Sequence, residues 1–102
     1  MGNVVTGDVR NLIDKELAAA QKIYGLRASF HEKYSVMLEE VEEARQELDE
    51  ISCEMYHMWN CVKRDDYENA ARFASRIQYT AERLACEAIQ VAAMAKKEVK
   101  KK

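Results

Sequence analysis

The sequence predicts an all-α protein: a long antiparallel helical hairpin preceded by an N-terminal helix, assembling into helical bundles as an oligomer. Three observations carry that prediction. Proline is absent and only three glycines occur in 102 residues, a composition of long helices rather than of a sheet. Apolar residues recur at alternating steps of four and three over more than four heptads, the signature of helices packed at shallow angles. A chain this short buries only roughly 60–65% of its unfolded surface, so a lone copy is marginal and association is the usual remedy.

The elements follow in order. Asp8 can cap a first helix. Val9, Leu12, Ile13, Leu17, Ala20, Ile23 and Tyr24 then repeat at helical spacing, and Gly25 is a natural stop. Ser29 can cap a second helix with Glu32 as its capping-box partner. Its seam reads Phe30, Tyr34, Met37, Val41, Ala44, Leu48, Ile51, Met55, Met58, Val62. At Lys63-Arg64-Asp65-Asp66 basic residues close one helix and acidic residues open the next. Asp65 with Glu68 reads as a further capping box, which puts a tight turn near residue 65. The third seam is Tyr67, Ala70, Ala74, Ile77, Ala81, Leu84, Ala88, Val91, Ala95, whose alanines admit close approach of another helix. The terminal KKEVKKK reads as a solvated helix end whose lysines suit the helix dipole. The whole, residues 1–102, reads as one domain.

Composition removes several function classes. Sixteen basic and eighteen acidic residues leave a net charge of −2, which calls for neither nucleic acid nor an anionic membrane. Cys53, Cys61 and Cys86 form an odd set without framework spacing and read as reduced thiols, hence a cytoplasmic protein. The N-terminus lacks a basic stretch followed by an apolar one, so no secretory signal is expected. Met1-Gly2 with Thr6 matches a myristoylation signal in form only. No apolar run is long enough to span a bilayer. No Ser-His-Asp set, phosphate-cradling glycine loop or dinucleotide fingerprint occurs.

The informative stretch is LEEVEEARQEL, Leu38–Leu48, with five glutamates in eleven residues. One position before each seam residue of helix two runs a stripe of Glu40, Glu43, Glu47, Glu50 and Glu54. The matching stripe of helix three is Arg76, Thr80, Arg83, Glu87, Gln90. Folding the hairpin about residue 65 makes facing residue numbers sum to about 130. Glu54 then meets Arg76 and Glu47 meets Arg83, as salt bridges. Farther from the turn Glu43 meets Glu87 and Glu40 meets Gln90, with no basic partner on the stripe. Two readings of these carboxylates stand: a solvated acidic face, or a site whose repulsion a divalent cation relieves. Oxygen-only donors select a hard ion, Mg²⁺ or Mn²⁺. Two helices each offering two ligands at i,i+3 spacing make a workable site in a bundle.

HEKYSVMLEEVEEA (His31–Ala44) and EAIQVAAMAKK (Glu87–Lys97) resemble the MazG-like all-α nucleoside triphosphate pyrophosphohydrolases, in particular the small versions encoded in phages and prophages. The hallmark of that family is EExxE on one helix and ExxD on a later one. Here EExxE is Glu39, Glu40 and Glu43, and the second motif is Glu87-Ala88-Ile89-Gln90. The two segments cover about a quarter of the chain. The resemblance implies Mg²⁺-dependent cleavage of an NTP or dNTP to a monophosphate and pyrophosphate. It also implies a homodimer or homotetramer. Glu40, Glu43 and Glu87 are implied as metal ligands, and Glu39 as a ligand or the residue that orients the attacking water. Gln90 stands where the pattern has Asp; it keeps a carbonyl oxygen but removes a charge. The alternative is a catalytically weakened or non-catalytic helical oligomer that binds nucleotide or a protein partner.

Phosphoryl transfer itself needs positioned phosphates, charge neutralisation and an oriented water. Arg83, Lys96 and Lys97 are candidates to hold phosphates, with Arg83 also readable as the partner of Glu47. His31 and Tyr34 precede the glutamates by two or three turns and could approach a base or sugar. Trp59, Tyr56 and Tyr67 are about 25–30 Å away along a helix and read as core or subunit interface. Cys53, His57 and Cys61 share a helix face, but zinc needs about four ligands, and packing is the preferred role.

Overall fold

The computed structural model describes residues 4–24 and 29–98. They form three helices, α1 (Thr6–Tyr24), α2 (Phe30–Lys63) and α3 (Tyr67–Glu98), and among the described residues there is no strand. The expected stop at Gly25, the Met1-Gly2 signal and the last lysines of the tail lie outside the described residues. No described helix is long and apolar enough to cross a membrane.

The starts and stops show where local chemistry acted. α1 opens earlier than Asp8: the Val9 amide already donates to the Val5 carbonyl at 2.9 Å, which leaves Asp8 in the first turn, where its charge complements the helix dipole. α2 opens as expected, with the Glu32 amide donating to Ser29 Oγ at 3.2 Å. At its end the Asp66 amide donates to the Cys61 carbonyl (2.9 Å) and the Asp65 amide to that of Val62 (3.0 Å), a Schellman closure. That closure demands a left-handed residue, and Asp65 takes it, with φ 57°. Asp65 therefore cannot cap α3. Asp66 does so instead: its Oδ1 accepts from the Asn69 amide at 3.3 Å. The Asp65 carboxylate accepts from the Tyr67 hydroxyl at 2.9 Å.

The chain divides into two compact units, Glu42–Cys86 and the remainder, up to Val41 and from Glu87 onward. In the Glu42–Cys86 unit, α2 and α3 leave the turn and pair in opposite numerical order. His57 stacks on Phe73 with centroids 5.5 Å apart, Glu54 pairs with Arg76 at 3.8 Å, and Glu47 pairs with Arg83 at 3.1 Å. In the other unit Lys33 pairs with Glu98 at 3.0 Å, Lys96 pairs with Asp14, and Ala93 is fully buried.

The seam of α2 is corrected by the structure. Phe30, Tyr34, Leu48 and Met55, all placed in it by spacing, are exposed. Ala44, Ile51 and Met58 of that seam do turn inward in the Glu42–Cys86 unit, and Glu47, Glu54 and Cys61 join them, again at steps of three and four. Glu47 is the most buried of them, 3% exposed. The physical cause lies on α3, whose line of contact has alanines and Gln78 toward the Leu48–Met55 edge and two long arginines on the other. The arginines draw the contact toward the glutamates. Tyr67, Ala88 and Ala95 of the α3 seam are likewise exposed, while Ala70 and Thr80 are buried.

Candidate functional site

Glu40 and Glu87 belong to the same compact unit and each brings a carboxylate oxygen within 4.8 Å of the other. Glu43 stands three residues along the unbroken α2, one turn from Glu40 on the same helix. Glu40 and Glu87 are half-buried and Glu43 is exposed. Helical spacing puts Glu40 and Glu43 together, since residues three apart share a face.

The donor set fits a hard divalent cation. Oxygens on opposite sides of a magnesium ion, at about 2.1 Å each, stand about 4.2 Å apart, so a group spread over 4.8 Å needs only small side-chain adjustments. All donors are carboxylates, which disfavours soft ions.

The other expected site residues fall as follows. Glu39 is exposed beside Glu40, and Gln90 is half-buried one turn on from Glu87. Arg83 holds Glu47, with its own side chain 52% exposed. Lys96 is paired with Asp14, Lys97 is half-buried, and His31 is exposed. Of the possible zinc set, Cys53 is exposed, Cys61 is buried beside the Arg64 guanidinium at 3.9 Å, and His57 is engaged with Phe73.

Tyr79 does not stand out from the sequence pattern, yet it takes a prominent place. It lines an open groove of about 530 Å³ with Glu50, Glu54, Arg76, Thr80 and Arg83, and the Arg83 guanidinium lies 5.9 Å from its ring centre. The signal for it is Arg76, Tyr79 and Arg83 at steps of three and four, one helix edge carrying two cations and an aromatic ring. At the turn one carboxylate is shifted: hydrogen bonds from the Asn69 side chain and then its backbone hold Asp66 below the usual aspartate value.

No family model matches the chain, and neither a curated protein nor a solved structure matches it.

Proposed function

We propose that this protein is a Mg²⁺-dependent nucleoside triphosphate pyrophosphohydrolase of the MazG-like kind, working as a homo-oligomer of helical hairpins. The observation that supports this reading is the approach of Glu40 and Glu87 from two helices, with Glu43 one turn from Glu40 on α2, all three at the acidic positions of the EExxE and ExxD pattern. Carboxylates drawn together at a half-buried place repel one another, and an arrangement of this kind is stabilised by a bound cation.

Glu40, Glu43 and Glu87 would hold the ion, with the Gln90 carbonyl oxygen as a further donor. Bound there, Mg²⁺ or Mn²⁺ supplies neutralisation of the triphosphate and orientation of its oxygens. Glu39, exposed on the same helix, accepts a hydrogen bond from the attacking water and takes its proton as the water adds to the α-phosphorus. The bond from the α-phosphorus to the bridging oxygen breaks, and pyrophosphate leaves. Lys96, Lys97, Arg83 and His31 are the groups available to phosphates and sugar, with Arg83 already committed in part to Glu47.

The deciding measurement is release of pyrophosphate from a panel of ribo- and deoxyribonucleoside triphosphates with Mg²⁺. Turnover that drops at least about 100-fold in Glu43→Gln supports the reading. No pyrophosphate from any nucleotide overturns it. A second reading, a relative that binds nucleotide without turning it over, is favoured by Gln90 at the Asp position; binding without turnover, with activity appearing in Gln90→Asp, would select it.

A further inference from the structure

Among the described residues no large side chain is fully buried, and the buried apolar residues are only Cys61, Ala70 and Ala93. Meanwhile large apolar residues stand in solvent in the Glu42–Cys86 unit. On α2, Leu48, Met55 and Trp59 are 53%, 52% and 57% exposed, and with Ser52 and Val62 they fall at alternating steps of four and three. On α3 the residues Ala71, Ala74, Gln78, Ala81 and Ala85 keep the same spacing, and Ala71, Gln78 and Ala85 are exposed. The chain thus carries two seams at coiled-coil spacing, one large and one small.

Both seams look to the same side. The pairs Glu47–Arg83, Glu54–Arg76 and His57–Phe73 set the inner edges of α2 and α3 and their opposite directions in this unit. At about 100° per residue, Leu48 and Met55 sit about a quarter turn from the inner line of α2, and Ala74, Ala81 and Ala85 sit about a quarter turn from that of α3. Because the helices run oppositely, those two turns point the same way, and the arginines point the other. One side of the unit is ion-paired, and the other is a slab of large residues beside small ones.

We infer that this slab is covered by a second copy of the chain, related by a twofold axis running along the helices, so that α2 of each copy lies on the alanine seam of α3 in the other. That axis puts the Leu48–Trp59 ridge into the alanine groove and keeps both turns at one end of the assembly. A twofold axis across the helices would instead set large residues on large and alanines on alanines. Levels agree as well. With facing numbers again summing to about 130, Trp59 meets Ala71, Leu48 meets Ala81, and the polar interruption of one seam, Ser52, meets that of the other, Gln78. Mismatched polar groups would be stranded in an apolar interface, whereas here they coincide. Described residues that bury no large side chain of their own need a permanent cover, and an identical chain is always present in equal amount. The inference names the face and register of the oligomer in the reading above, and it rests on that reading for nothing else.

The test is molar mass in solution by sedimentation equilibrium over a concentration series, without metal or nucleotide, so its failure is separate from failure of the proposed chemistry. Wild type is expected to be dimeric, or tetrameric through a further contact. Leu48→Ala opens a cavity at two symmetric places and should raise the dissociation constant at least about 100-fold. Ala81→Leu should do the same by collision. The double variant exchanges large and small residues and should recover to within about 10-fold of wild type. Circular dichroism checks folding of each variant, and Met55→Ala with Ala74→Leu is the equivalent pair if one of the first fails to fold. A monomeric wild type, which would leave the face to another segment or another protein, overturns the inference. So do unchanged dissociation constants in the single variants, or a double variant weaker than both, which would place the interface elsewhere or on the other axis.

Discussion

The stripe of glutamates along α2 is one sequence pattern with two fates. In the Glu42–Cys86 unit, Glu47 and Glu54 each meet an arginine of α3, at 3.1 and 3.8 Å. In the other unit the protein brings the Glu40 carboxylate to that of Glu87, within 4.8 Å. The first region is neutralised by side chains that are always present. The second sets carboxylate beside carboxylate, an arrangement that only folding creates. The difference teaches that an acidic helix face is not one thing: what α3 offers opposite each glutamate decides whether it becomes a structural salt bridge or a possible ligand.

The contrast can be broken most severely at Arg83. Glu47 is almost wholly buried, and its oxygens make no hydrogen bond beyond the ion-pair contact. Arg83→Ala leaves that charge uncompensated and should cost about 2–4 kcal/mol, less than for a fully buried pair because Arg83 is half in solvent. Urea unfolding would show it as a lower midpoint at unchanged slope. Replacing both partners, Glu47→Leu with Arg83→Met, should recover most of the loss.

Next in size is the response of the acidic group to metal. Wild type should melt higher in millimolar Mg²⁺, by mass action on the folded state, and Glu43→Gln should lose that response. Without metal, Glu43→Gln should instead melt a few degrees higher than wild type, since about 0.5–1 kcal/mol of repulsion shifts the midpoint of a chain this size by several degrees. If Mg²⁺ leaves the wild-type melting curve unchanged even with nucleotide present, the carboxylates are an acidic face and the structural alternative gains.

Arg76→Ala should be milder than Arg83→Ala. Its guanidinium is mostly in solvent and 3.8 Å from Glu54, so about 0–1 kcal/mol is expected, fading as salt is raised. The gap between the two arginine variants measures how much burial, rather than charge alone, matters on this stripe.

The smallest effect is at the turn. Asp66 is held below its ordinary value of 3.8 by the hydrogen bonds from Asn69. A depressed folded value means its contribution is fully present above pH 3.8 and is lost as pH falls through the lower folded value. Acid unfolding of Asp66→Asn should therefore show a shallower loss of stability below about pH 4 than wild type. An identical acid profile would show that the cap is not coupled to folding.

Much of this was legible in the sequence because helix chemistry is local. The absence of proline, the Ser29 cap and the charge reversal at Lys63-Arg64-Asp65-Asp66 act over four or five residues, and they determined the helical class, the start of α2 and the break between α2 and α3. The pairing of Glu47 with Arg83 and Glu54 with Arg76 followed from one further number, the position of the turn, because α2 and α3 are regular enough for pairing to be counted outward. Two local errors also have local causes. Asp8 and Asp65 look like caps by residue type, but a cap is defined by which backbone amides remain without partners, and these depend on where the helix actually begins and how the preceding one closes.

What the sequence could not decide is which edge of an apolar helix becomes the inside. Leu48 and Glu47 are neighbours on α2, and hydrophobicity alone puts Leu48 in the core. Only the tertiary structure shows Glu47 buried and Leu48 in solvent. The reason is that burial is a property of the pair of surfaces: two arginines on α3 stabilise a buried carboxylate, and the alanines beside them are too short to cover a leucine.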